Sequence, residues 1–126
     1  MKIASTIARY LLGIMFTIFG LNGFLQFLPA PPMSPLAGQF FGALIASHYT
    51  IPIFLVQLTC GILFLVNRYV PLALTLIGPV IVNILIFHVL MNPEGIAPGA
   101  VATICWFILF TRLRPAFDGI LRSQST

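Results

Sequence analysis

The sequence predicts an all-α integral membrane protein, a four-helix bundle with a short extra interfacial helix after the first span. Hydrophobic residues make up 60% of the 126 residues and charged residues only 6%, whereas soluble domains carry about 25% charged residues. Apolar runs long enough to cross a bilayer recur along the chain. All lysines and arginines lie near the N-terminus, near residue 68 or near the C-terminus, and these three regions share one side of the membrane if the number of spans is four.

Prolines and polar turns divide the chain into the predicted elements. The segment 29–35 holds four prolines, which end the first span because proline cannot continue a helix. The apolar stretch after it is too long for one span and has a polar break at 47–50, so we divide it there. The whole chain, 1–126, is predicted to form a single transmembrane domain. The predicted spans cover about 3–28, 49–66, 71–91 and 96–111, and the short helix covers about 36–46.

The basic residues predict the orientation of these spans. With four spans, all six lie on one side of the membrane, and the other side carries Glu94 and neither lysine nor arginine. Because cytoplasmic loops are enriched in basic residues, we expect both termini to be cytoplasmic. The scattered positions of the basic residues argue against nucleic acid as a partner. The six residues are Lys2, Arg9, Arg68, Arg112, Arg114 and Arg122.

Carboxamides within the predicted spans point to a binding pocket, since polar groups are costly inside a membrane. At a rise of ~1.5 Å per residue, Asn22, Gln57 and Asn83 lie ~9–12 Å below the outer ends of their spans. His88 lies nearer the outer rim. We therefore predict a pocket in the outer half of the bilayer, lined by these four residues, whose carboxamides can donate to a ligand oxygen. The alternative is that they only join helices by hydrogen bonds. Candidates for the apolar lining are Phe16, Phe19, Phe24, Phe87 and Trp106.

Other residue patterns give little support for further chemistry. Cys60 and Cys105 are expected to be small apolar fillers rather than a redox pair. His48, His88 and Glu94 match no metal-ligand spacing, so no metal is predicted. The sequence has no phosphate-binding loop and no hydrolase triad, and no catalytic residue is assigned.

Small residues recur at four-residue spacing in the short helix, at Gly38, Gly42 and Ala46. Such a stripe lets another helix approach closely. We expect it to pack within the monomer, with a dimer contact as the alternative.

Five segments of the chain match the pattern of a known family, and they are RYLLG at 9–13, FGLNG at 19–23, GILFLVNRYVPLA at 61–73, VNILIFH at 82–88 and NPEG at 92–95. Together they resemble the DoxX-like family of small four-helix integral membrane proteins. The resemblance extends over nearly the whole chain and implies four helices with a short extra helix after the first. Members of that family are linked to membrane redox chemistry, including subunits of quinone-reducing enzymes. The expected location is a bacterial inner (cytoplasmic) membrane.

The resemblance and the predicted pocket together suggest a subunit of a membrane redox system with a quinone-like or lipid-like ligand. No covalently bound cofactor is evident, so electrons would come from the ligand, or from a membrane or soluble redox partner protein. The alternative function is a non-catalytic membrane bundle that binds or stabilises a partner membrane protein.

Overall fold

The computed structural model describes residues 2–125, and this part of the chain is helical without any strand. The all-α prediction is therefore confirmed for these residues. The helices occupy the predicted segments to within a few residues, with the largest difference at the end of the first. The five α-helices are α1 (Lys2–Leu25), α2 (Pro35–Ala46), α3 (Thr50–Val66), α4 (Val70–Met91) and α5 (Ala97–Arg112). Short 3₁₀ helices, Pro93–Gly95 and Arg114–Phe117, flank α5.

Two helices, α1 and α4, are long and apolar enough to cross a membrane. Helices α2 and α3 reach that length only as a pair, and the pair is bent by 90° at the break between them. Helix α5 is apolar but has only 16 residues, which span about 24 Å of a ~30 Å hydrocarbon core. The described residues thus contain two helices of spanning length, or three if the bent pair counts as one span.

The four longer helices pack side by side in the order α1, α3, α4, α5, and α5 returns to α1. The contact between α1 and α3 is the most extensive, and α2 touches α4, where the Phe40 and Phe87 rings lie 5.8 Å apart. The core between the helices contains the fully buried side chains of Leu12, Phe64 and Ile77. This arrangement encloses a central space between four helices.

One end of the molecule gathers the basic residues. Arg9 on α1 donates a hydrogen bond of 2.5 Å to the carbonyl oxygen of Phe64, near the end of α3. The turn from α3 to α4 is tight because Asn67 and Tyr69 both adopt left-handed conformations, with φ of 56° and 52°. Phe117, which follows α5, is buried at the same end.

Helices α1 and α3 approach closely because glycines lie between their backbones. A Cβ atom on Gly20 would lie 2.7 Å from the backbone nitrogen of Leu58, and one on Gly61 would collide with the backbone of Thr17. The predicted stripe is different, because Cβ atoms on Gly38 and Gly42 would meet nothing within 4 Å in the described residues. The expectation that this stripe packs within the monomer is wrong.

Candidate functional site

A cavity of about 490 Å³ lies between the helices at the end opposite the basic residues. All four of the longer helices contribute to its wall, together with the loop after α1 and the turn after α4. Its deeper wall is apolar and its mouth is polar and rich in proline and glycine. The apolar wall includes Met15, Phe16, Phe19, Ile84 and Ala102, and the mouth includes Pro31, Pro32, Glu94, Gly95 and Pro98.

Gln57 of α3 is the polar side chain in the cavity wall that most needs an explanation. It is only 6% exposed. None of the side-chain hydrogen bonds found among residues 2–125 involves its carboxamide, whereas Asn22, Asn83 and Asn92 each have one. The Gln57 carboxamide is not among the fully enclosed side-chain atoms without a partner, which in the described residues are represented by Thr17 Oγ1, so it is in contact with the cavity. An unpaired carboxamide in a cavity wall is therefore a group available to a ligand.

His88 lies near the end of α4 and has a defined tautomer when neutral. Its Nδ1 lies 2.8 Å from the carbonyl oxygen of Ile84. Because a carbonyl oxygen only accepts hydrogen bonds, Nδ1 carries the proton and Nε2 is left as an acceptor. Nε2 points towards Gly95, where an added Cβ atom would lie 2.9 Å away. His88 thus presents a hydrogen-bond acceptor at the mouth of the cavity.

Asn92 joins the two loops that form the cavity mouth. It is 8% exposed, and its Oδ1 accepts a hydrogen bond of 3.3 Å from the backbone N–H of Ser34. The Ser34 hydroxyl also donates to the carbonyl oxygen of Met91. These bonds hold the proline-rich loop against the end of α4. Nδ2 of Asn92 lies close to Gly95, and both residues belong to the cavity wall.

The structure brings two of the four predicted site residues to the cavity and places the other two elsewhere. Gln57 and His88 line it. Asn22 instead accepts a hydrogen bond of 2.8 Å from the backbone of Leu28 at the end of α1. Asn83 is exposed and donates to the carbonyl oxygen of Pro79 on its own helix, at 2.8 Å. The predicted convergence of three carboxamides is therefore wrong.

The failed convergence has a simple geometric reason. Depth along the membrane normal can be counted from the sequence, but the direction of a side chain around its helix depends on tertiary packing. Consecutive helical residues point about 100° apart. Ile84 faces the cavity, and its neighbour Asn83 therefore points away from it.

Of the five aromatic residues predicted to line the pocket, two line the cavity and three pack elsewhere. Phe16 and Phe19 line the cavity. Phe24 packs against Phe54, with ring centroids 6.3 Å apart, and Phe87 packs against Phe40. Trp106 donates its indole N–H to the carbonyl oxygen of Leu74 at 2.9 Å and stacks on Phe110.

Sequence reasoning missed Asn92 and Gly95 as site residues. The predicted spans at 71–91 and 96–111 leave residues 92–95 only as the connection between them. A signal was present, because Glu94 and two other polar or flexible residues follow His88 within two helical turns. Nothing in the sequence indicated that Ser34 would be the partner of Asn92, since 58 residues separate them.

The cysteines do not line the cavity, and of the three residues considered as metal ligands His88 and Glu94 line it whereas His48 does not. Cys60 and Cys105 are both buried and free, and helices α3 and α5 are not among the extensively packed pairs. Cys105 lines a separate apolar groove between α1 and α5. His48 is exposed at the bend between α2 and α3. Across residues 2–125, no group of three or more histidine, cysteine or acidic side chains is placed to hold a metal ion.

Comparison with known proteins finds no matching family model, no matching curated protein and no matching solved structure. The resemblance to the DoxX-like family therefore stays a prediction from the sequence. The functional argument depends on the cavity and on the polar groups that face it.

Proposed function

We propose that the protein is a membrane-embedded four-helix bundle that binds a small, largely apolar ligand with a polar head, such as a quinone or a lipid-like molecule. The observation that carries the proposal is the buried Gln57 carboxamide, which has no protein partner in the described residues and lines the cavity. His88 adds a second polar group nearer the mouth. An apolar pocket with a few convergent polar groups is the usual form of a ligand site.

The size and lining of the cavity support a ligand of this kind. Its volume of about 490 Å³ falls within the ~300–1,000 Å³ range of small-molecule pockets. Phe16 and Phe19 offer ring faces to an apolar or aromatic body. The polar head would lie at Gln57 or at His88.

The membrane placement is part of the proposal. Helices α1, α3, α4 and α5 would cross the bilayer, and the 3₁₀ helices at both ends of α5 would extend its 16 residues. The 90° bend after α2 suits a helix that lies along the interface. Since all six basic residues belong to one set of segment ends, that end would be cytoplasmic, with the cavity in the outer half of the bilayer.

The orientation is tested by reporter fusions. A reporter fused after Arg114 should behave as cytoplasmic, and a tag inserted at residue 30 should be accessible from outside intact cells. The reverse pattern would move the cavity to the cytoplasmic half of the membrane. It would leave the proposed binding function intact.

The redox role rests on the sequence resemblance and on the chemistry that a quinone would bring. A quinone gains electrons and protons and releases them again from the reduced quinol, so a bundle can take part by holding it and by passing it to a redox partner protein. Gln57 would position a quinone oxygen by donating a hydrogen bond, and His88 would accept one from a hydroxyl of the reduced form.

Mass spectrometry of small molecules retained after gentle purification tests the binding function. We expect a quinone-like or lipid-like molecule to accompany the wild-type protein and to be reduced at least about tenfold in Gln57→Leu, because the ligand loses its buried hydrogen bond. Asn83→Leu is the matched control, because it removes a carboxamide from the exposed face of α4. Equal retention by all three proteins, or no retained molecule in any, would contradict the proposal.

A second candidate function is favoured by α2. Gly38 and Gly42 face open space in the described chain, which leaves a small-residue surface free for a helix of a partner membrane protein. A protein that copurifies with the wild type and is lost in Gly42→Leu would favour this function.

A further inference from the structure

We infer that the cavity recognises its ligand through a hydroxyl group, and that an aromatic hydroxyl, as in a phenol or a hydroquinone, fits it better than a carbonyl. The inference rests on the proposed function, since it requires a small ligand in the cavity. It concerns the hydrogen-bonding groups of His88 and Asn92, which both border the space next to Gly95.

His88 sets the first requirement, which is that the ligand donates a hydrogen bond. The single proton of the neutral ring is held at Nδ1 by the carbonyl oxygen of Ile84, 2.8 Å away. Nε2 is then an acceptor without a hydrogen-bond donor among residues 2–125. A ketone or quinone oxygen cannot satisfy it, because both groups only accept.

Asn92 sets the second requirement, which is that the same ligand group accepts a hydrogen bond. The backbone N–H of Ser34 donates to one atom of the Asn92 carboxamide, and this atom must be Oδ1 because only an acceptor can receive that hydrogen bond. Its Nδ2 is therefore the free donor, and it lies 3.4 Å from the point where a Cβ atom on Gly95 would stand. That same point lies 2.9 Å from Nε2 of His88. A donor and an acceptor thus lie close to each other on two residues of the cavity wall.

A hydroxyl is the simple group that meets both requirements, because it donates one hydrogen bond and accepts others. A carboxylate only accepts and would also be repelled by Glu94 at the mouth. An ammonium only donates. Since Phe16 and Phe19 belong to the same wall, an aromatic ring next to the hydroxyl suits the cavity better than an aliphatic chain.

Gly95 lies against the edge of the His88 ring that carries Nε2. An alanine methyl at this position would stand 2.9 Å from both Nε2 and Cδ2, so the imidazole would have to shift. Gly95→Ala therefore offers a steric test of the site, because it displaces the acceptor without removing it.

The experiment compares two ligands that differ only in the donor. Full-length protein in nanodiscs is titrated by calorimetry with para-nonylphenol and with its methyl ether, para-nonylanisole. Heats of partition into empty nanodiscs are subtracted. Nonanol serves as an aliphatic hydroxyl with a similar tail.

We expect the phenol to bind about tenfold more tightly than the ether, because the ether cannot donate to His88. Nonanol should bind more weakly than the phenol. In His88→Leu the phenol should lose its advantage, while the Kd of the ether should stay within about threefold of the wild-type value. Asn83→Leu should retain the full preference, and Gly95→Ala should weaken the phenol more than the ether.

Two results would overturn the inference. The first is that phenol and ether bind the wild-type protein equally well, or that the preference for the phenol persists in both His88→Leu and Gly95→Ala. The cavity would then bind ligands without recognising a hydroxyl group, and the proposed binding function would stand. If none of the compounds binds and no molecule is retained on purification, the binding function and the inference fail together. Should His88→Leu fail to fold, as judged by size-exclusion chromatography, Gly95→Ala decides between these results.

Discussion

The same residue types have different surroundings at the interface between α1 and α3 and at the perimeter of the molecule. The perimeter here means the outward-facing positions Gly38 and Gly42 of α2, and Thr75 and Asn83 of α4. At the interface, Gly61 lies against the backbone of α1, whereas Gly42 meets nothing within 4 Å in the described residues. The Gln57 carboxamide is buried without a protein partner, whereas Asn83 bonds to its own helix.

The threonines show the same contrast. The hydroxyl of Thr17 on α1 is fully enclosed and has no hydrogen-bond partner among residues 2–125. The hydroxyl of Thr75 on α4 donates to the carbonyl oxygen of Pro71 at 2.9 Å. At exposed helix positions a short polar side chain can turn back to its own backbone. At the interface, the neighbouring helix decides what each side chain can reach.

The comparison teaches that the type of a residue within an apolar run does not determine the structural role of that residue. Three matched pairs of positions, and the two cysteines, allow this conclusion to be tested. In each pair the same substitution is made at the interface and at the perimeter, so general effects on insertion and expression cancel.

Gly61→Val should have the largest effect. The added side chain would collide with the backbone of Thr17 and force α1 and α3 apart, and overpacking of this kind destabilises by about 3 kcal/mol or more. Gly42→Val is the control and should change the free energy of unfolding by less than about 1 kcal/mol, since its surroundings are open. Unfolding in mixed detergent micelles, followed by circular dichroism, measures both. Similar losses in the two variants would mean that the interface is no closer than the perimeter.

Gln57→Leu should change the free energy of unfolding of the ligand-free bundle by no more than about 1 kcal/mol, in the stabilising direction, because the carboxamide has no protein partner to lose and is in contact with the cavity. Asn83→Leu should have little effect, since it removes a bond within one exposed turn. The same unfolding assay applies, with protein freed of bound molecules by extended detergent washing. A loss of more than about 1 kcal/mol in Gln57→Leu would indicate that the carboxamide joins helices after all.

Thr17→Val should stabilise the fold by about 1 kcal/mol, because an enclosed hydroxyl without a partner is replaced by a methyl group of similar size. Thr75→Val should be close to neutral, because its hydroxyl is exposed and bonds only within its own helix. Midpoints of thermal unfolding for the two variants provide the comparison. Destabilisation by Thr17→Val would show that the hydroxyl has a partner in the folded protein.

The cysteines should give the smallest effects on stability. Cys60→Ala and Cys105→Ala each remove one sulfur atom from a buried position, and we expect losses of about 1 kcal/mol each. Any difference should appear in reactivity, since Cys105 borders a groove and Cys60 has no exposed surface. N-ethylmaleimide should therefore label Cys105 faster, as followed by intact-protein mass spectrometry. Faster labelling of Cys60 would contradict the packing at the core.

The candidate site was predictable from the sequence only in part. Gln57 and His88 were identified because a polar residue in a long apolar run is conspicuous and its depth can be counted. The same count placed Asn22 in the site. Its carboxamide instead accepts a hydrogen bond from the backbone N–H of Leu28, and α1 ends at Leu25, three residues before the predicted boundary. Counting gives depth, whereas the direction around the helix comes from the packing of its neighbours.

The sequence by itself determined that this chain is helical and apolar enough for a membrane, and where its helices begin and end, because hydrophobic runs, prolines and polar turns act over a few residues. Only the tertiary structure decided that Gly61 rather than Gly42 lies between two helices, and that Asn92 meets Ser34 across the cavity mouth. Those contacts join residues far apart in the chain. They depend on how each helix is rotated about its own axis, which local sequence signals leave open.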